Sequence, residues 1–96
     1  MESQARLEQL RVQFIVAEID TAWALARSAR IVYASNSEHA PNLADKAWEA
    51  YEQALIDFKE IRGKELRDSL GGKLNQIRAV LNALPARKAH RRNGKV

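Results

Sequence analysis

Leu43-Ala44-Asp45-Lys46-Ala47-Trp48-Glu49-Ala50-Tyr51-Glu52-Gln53-Ala54-Leu55-Ile56-Asp57-Phe58-Lys59-Glu60-Ile61 decides how this chain folds. Ala44, Ala47, Trp48, Tyr51, Ala54, Leu55, Phe58 and Ile61 recur at steps of three and four, which gathers them on one stripe of an α-helix. The carboxylates Asp45, Glu49 and Glu52 fall on another face. A helix with one apolar stripe needs something to pack against.

Upstream, a first helix is predicted from about Ser3 to about Ala34, a stretch without Gly or Pro, with Ser3 as its N-cap. It carries two apolar rows. One is Leu7, Leu10, Phe14 and Ala17; the other is Val12, Val16, Ile19, Trp23, Ala26, Ala29 and Tyr33. Two rows predict contact with more than one helix. Residues 35–42 read as a polar connection, and Ser37 or Asn42 is the expected cap of the second helix. With Asn42 as cap, Asp45 lies in the first turn, where the helix dipole favours an acid.

Downstream, the stripe runs on through Leu66 and Leu70. Gly63 and Gly71-Gly72 compete as the break. A glycine pair is the stronger punctuation, so the second helix is predicted from Leu43 to about Leu70, capped by Gly71. A shorter third helix then covers Lys73 to Leu84, with Leu74, Ile77, Leu81 and Leu84 facing inward. A cut at Gly63 instead would give two helices of more equal length.

The fold class that follows is all-α: an antiparallel helical hairpin of two long helices plus a short third helix, bundle-like. Sixteen alanines and a single threonine leave little material for strands. Folding the hairpin about residue 38 sets Trp23 level with Ala54 and Trp48 level with Ala29, so that large meets small. A helix of about 12 residues spans about 18 Å against about 45 Å for one of 30. The short helix therefore leaves much of an apolar groove uncovered. Symmetric dimers are the commonest oligomers, so a homodimer is the expected cover.

The chain has 96 residues, 46% of them hydrophobic, and fits one soluble domain. It contains no cysteine, which excludes disulfides and thiolate metal sites. Its start lacks the basic and apolar regions of a signal peptide, and its apolar runs are far below membrane-spanning length. The expected location is cytoplasmic. The net charge of +4 hides a division. Residues 85–96 hold five of the sixteen Lys and Arg and no acid, which leaves residues 1–84 at −1. Pro85 ends the helical pattern, so residues 1–84 read as a single helical domain and 85–96 as a basic tail expected to be disordered. In the tail, Arg87, Lys88, Arg91, Arg92 and Lys95 are candidate nucleic-acid contacts.

Catalytic chemistry finds few residues to work with. His39 falls in the connection and His90 in the tail, and neither joins a recognised catalytic constellation. No zinc-helix, di-iron or phosphate-loop motif occurs. Gly71-Gly72-Lys73 at a helix start offers a weak phosphate-binding signal. The row Asp45, Glu49 and Glu52 reads as a solvated face. No catalytic residue, cofactor site or metal site is assigned.

Two short resemblances bear on function. Glu65–Val80 resembles a helix-turn-helix, with Gly71 as the turn glycine, Ile77 and Val80 inward, and Asn75, Gln76 and Arg78 toward a groove. It departs from that pattern at Arg67 and Gly72. Lys46–Leu55 resembles the second helix of a tetratricopeptide repeat, with Ala47, Tyr51 and Ala54 on its small–aromatic–small spacing. That resemblance covers about ten residues. It implies a helical hairpin packed by small residues against aromatics.

The expectation is a non-enzymatic helical interaction or scaffold module that self-associates through its apolar groove. Phe14, Ile19, Trp23, Trp48, Tyr51, Leu55 and Phe58 are its expected structural anchors. The alternative is nucleic-acid binding through the tail. The charge division makes a measurable prediction. At pH 7.5 and low salt the chain should be retained on a cation exchanger. Replacing Arg87, Lys88, Arg91, Arg92 and Lys95 by Gln should abolish retention, because the remaining charge is near zero.

Overall fold

A computed structural model describes residues 2–35 and 38–84, with side chains from Gln4 onward. Three helices follow one another: α1 (Glu2–Ala34), α2 (Ala40–Phe58) and α3 (Lys64–Asn82). No strand occurs among the described residues. The all-α, bundle-like class holds. The tail, and with it Pro85 and His90, lies outside the described residues.

The helices run up, down and up. Arg11 Nη1 reaches Glu60 Oε1 at 3.3 Å and Arg62 Nε reaches Glu8 Oε2 at 4.0 Å, so the end of α2 lies beside the start of α1. Lys73 Nζ lies 3.6 Å from Asp20 Oδ1, and Trp23 shares a cleft with Gln76 and Ile77, so α3 runs parallel to α1. These ion pairs are exposed and contribute at most about 1 kcal/mol each. Burial does more. Ile15, Ile19, Ile77 and Leu81 are fully enclosed, and each stabilises the fold by about 1.5–3 kcal/mol.

The seam between α1 and α2 is built from alanine. Ala22, Ala26 and Ala29 on α1 and Ala44, Ala47 and Ala54 on α2 are all buried. Trp48 and Tyr51 close the same core, edge to face, with ring centroids 5.8 Å apart. The hairpin is not splayed, and neither Trp is exposed. Trp23 turns toward α3, where it lines the cleft with Lys73, Gln76 and Ile77.

The helix boundaries depart from the sequence reading in three places. Helix α1 begins at Glu2, so Ser3 lies within it rather than capping it. Helix α2 begins at Ala40, three residues earlier than predicted, with Pro41 in its first turn. Proline is suited there, since its missing N–H has no helical partner in that turn. His39 holds the cap position without a side-chain cap bond, and Asp45 falls beyond the first turn. Asn42 is internal to the helix, and Ser37 is outside the described residues.

The larger correction concerns the glycines. Helix α2 stops at Phe58, and α3 runs unbroken through Gly71-Gly72. The chain leaves α2 through tightened i to i+3 bonds, with the amides of Lys59, Glu60 and Ile61 donating to the carbonyls of Ile56, Asp57 and Phe58. That turn drives Ile61 into the core, where it is 3% exposed. Gly63 is extended and opens α3, its carbonyl accepting from the Arg67 amide at 2.9 Å. Each mid-helix glycine costs about 1 kcal/mol. Burial of Leu70, Leu74, Ile77 and Leu81 along one stripe of α3 exceeds that. The third helix therefore has 19 residues, equal to α2, and not about 12. It covers more of the hairpin than predicted. The helix-turn-helix resemblance fails on the same ground, because Glu65–Val80 is one continuous helix.

A substitution separates the two readings of Gly72. A Cβ added there meets nothing within 4 Å, and one added at Gly71 meets only the Phe58 Cζ at 3.5 Å, an ordinary contact. Gly72→Ala should raise stability by about 0.5–1 kcal/mol, seen as a Tm increase of several degrees. Gly71→Ala should stabilise in the same direction. A fall in Tm for Gly72→Ala would contradict a continuous α3.

Candidate functional site

Helix α1 is longer than its partners. Its 33 residues span about 50 Å, against about 28 Å for the 19 of α2 or α3. Glu8 and Arg11 are level with the α2–α3 turn, so the residues before Glu8 project beyond the bundle. Every residue from Gln4 to Arg11 is exposed.

This projection shows which apolar row of α1 forms the core. The buried row is Ile15, Ile19, Ala22, Ala26 and Ala29, close to the second predicted row. Leu7, Leu10 and Phe14 of the first predicted row are 61%, 54% and 59% exposed. Phe14 is thus an outward residue and not a core anchor. Leu55 is likewise displaced to the surface, at 37% exposure, and Phe58 is half-buried. Ile19, Trp48 and Tyr51 are core residues as expected.

The exposed row leads into a groove of about 350 Å³ between α1 and α2. Phe14, Ala17, Glu18 and Thr21 form one wall, and Ala50 and Gln53 the other. Alanine at positions 17 and 50 makes the hollow, since a larger side chain at either would fill it.

One ionisable group sits in this apolar setting. Glu18 is half-buried, and its Oε1 is closed off from solvent. Burial first, then a hydrogen bond with the Asp57 carboxyl and the charge of Asp57, raise the Glu18 pKa to about 7. Two carboxyls can share a hydrogen bond only when one carries a proton. Gln53 orients the second carboxyl, its Nε2 donating to Asp57 Oδ1 at 3.4 Å and Oδ2 at 3.3 Å. Sequence reading missed this pair. Glu18 and Asp57 are 39 positions apart, and only the hairpin brings them together.

The remaining candidates do not converge on it. Arg87, Lys88, Arg91, Arg92 and Lys95 lie outside the described residues. His39 is exposed in the turn before α2. Gly71-Gly72-Lys73 is internal to α3, so no helix N-terminus exists there to hold a phosphate, and Lys73 pairs with Asp20. Asp45, Glu49 and Glu52 lie along α2, and no group of three metal-ligating side chains occurs among the described residues. No helix among the described residues is long and apolar enough to cross a membrane.

The raised Glu18 pKa sets a direction for stability against pH. The folded chain holds this proton between about 4.5 and about 7, while the unfolded chain has lost it. The fold binds more protons over that window, so stability falls as pH rises through it. Glu18→Gln should remove that slope and be the more stable protein at pH 8, as measured by urea denaturation from pH 5 to 8. A wild-type stability that rises over this window and matches Glu18→Gln at pH 8 would contradict the carboxyl pair. Compared with known proteins, the chain matches no protein-family model, no curated protein and no solved structure.

Proposed function

We propose that this chain is a small helical interaction module without enzymatic activity, and that it self-associates through the outer face of α1. The observation that carries this reading is the exposed row Leu7, Leu10 and Phe14 opening into the α1–α2 groove. Large apolar side chains lined up on one projecting helix, with a hollow beside them, are the usual make-up of an association surface. An aromatic at the centre of such a patch is a typical energetic anchor.

Molar mass by light scattering tests the reading. The full chain should elute at twice its 10.9 kDa monomer mass, in low and in high salt. Phe14→Glu should weaken association at least about tenfold, since it puts a charge into the desolvated centre. It should leave the far-UV circular dichroism unchanged, because Phe14 is exposed. A monomer at every concentration would contradict the proposal.

The charge division keeps a second reading in view, nucleic-acid binding through Arg87, Lys88, Arg91, Arg92 and Lys95. Absorbance at 260 and 280 nm across the eluted peak separates the two. Tail-driven binding weakens steeply with salt, whereas apolar assembly changes little.

A further inference from the structure

The outer row of α1 proceeds Leu7, Leu10, Phe14, Ala17, Thr21, Ala24, in alternate steps of three and four. The same steps continue to Ser28 and Ile31. Every one of these positions is exposed and none is charged. Such spacing, sustained over more than three heptads, is the seam of a coiled coil. Neither α2 nor α3 occupies it. The row is open to a strand from outside the monomer.

Side-chain size along the row chooses the direction of that strand. The N-terminal half is large, with Leu7, Leu10 and Phe14; the next three are small, with Ala17, Thr21 and Ala24. A parallel copy stacks large on large, leaves the small half unfilled, and sets Arg6 beside the partner's Arg11. An antiparallel copy, with its two-fold axis level with Ile15 and Val16, sets Leu7 against the partner's Ala24, Leu10 against the partner's Thr21, and Phe14 against the partner's Ala17. Large then meets small in each of these layers, the condition for filling a seam without voids.

Flanking charges agree with this register. It sets Gln13 beside the partner's Asp20, twice by symmetry, and brings no like charges together near the axis. Sliding the pairing toward the N-terminus places Leu10 on the partner's Phe14. Sliding it the other way places Asp20 on the partner's Asp20. In the favoured register Arg6 meets the partner's Arg27 only at the ends of the overlap, where solvent screens the pair. The groove beside Ala17 and Ala50 has room for an incoming aromatic ring.

We infer that two copies of this chain pair antiparallel along α1, each Phe14 seated against the partner's Ala17 in the α1–α2 groove. This rests on the self-association reading above and adds its geometry.

The absence of cysteine makes the register directly testable by cross-linking. Leu7→Cys and Ala24→Cys are prepared as separate full-length chains. Both sites are exposed, so neither change disturbs the core. The chains are mixed at pH 8 with a mild oxidant, and each is also oxidised alone. Sedimentation of the untouched chain runs alongside. The mixture should give a disulfide-linked dimer in several-fold higher yield than Leu7→Cys alone. Within the antiparallel dimer the two Leu7 positions stand about 25 Å apart, beyond disulfide reach. If the chain sediments as a dimer but Leu7→Cys links to itself better than to Ala24→Cys, the antiparallel register is wrong while self-association stands. A monomer by sedimentation with no cross-link in any arm overturns both.

Discussion

Alanine at the seam between α1 and α2 is the constraint from which the rest of this structure follows. Interhelical distance is set by the side chains at the contact, and small ones let the axes close in. Ala22, Ala26 and Ala29 face Ala44, Ala47 and Ala54 in one buried cluster. Small side chains along this seam let the two backbones approach, and Trp48 and Tyr51 close the same core. Ile15, Ile19, Ile61, Leu74, Ile77 and Leu81 gather with it around α3. Phe14, Leu55 and Ile56 are turned outward. The groove and the exposed row are thus the other side of the packing that makes the hairpin.

The same hairpin explains the Glu18–Asp57 pair. Two carboxyls would ordinarily be kept apart by their charge. The α1–α2 hairpin sets Asp57 against Glu18, and burial favours the protonated form of Glu18. The chain accepts this like-charge contact on the wall of the groove read here as an interface. Ionisable groups perturbed by desolvation and a charge partner cluster at functional sites, and this pair lies in a cleft.

Much of the fold was legible in the sequence, and the failures have physical causes. The stripe of α2 was readable because Trp48, Tyr51 and the alanines around them mark one face without ambiguity. The inward set Leu74, Ile77, Leu81 and Leu84 was readable for the same reason. A break at Gly71-Gly72 follows from local glycine preference, and burial overrides it. Gly71-Gly72 is a poor helix sequence held in shape by leucines on either side, while Ile61 turns the chain by entering the core. On α1 both rows look apolar, and alanine gives too weak a hydrophobic signal to show that Ala22, Ala26 and Ala29 mark the inner one. Sequence alone therefore assigns Phe14 to the core, although it faces outward. The uncovered groove expected beside a short third helix does not arise, because α3 spans 19 residues. The exposed apolar face lies instead on the outer side of α1. Glu18 and Asp57 gave no signal in the sequence, because their meeting depends on hairpin register alone.

The central claim is that the outer face of α1 is an association surface. Amide chemical shifts followed through a dilution series test it residue by residue. The account predicts concentration-dependent shifts confined to residues 7–24 of α1 and to the groove wall at Ala50 and Gln53, with the amides of α3 unchanged. Shifts independent of concentration, or centred on α3 or residues 85–96, would contradict it.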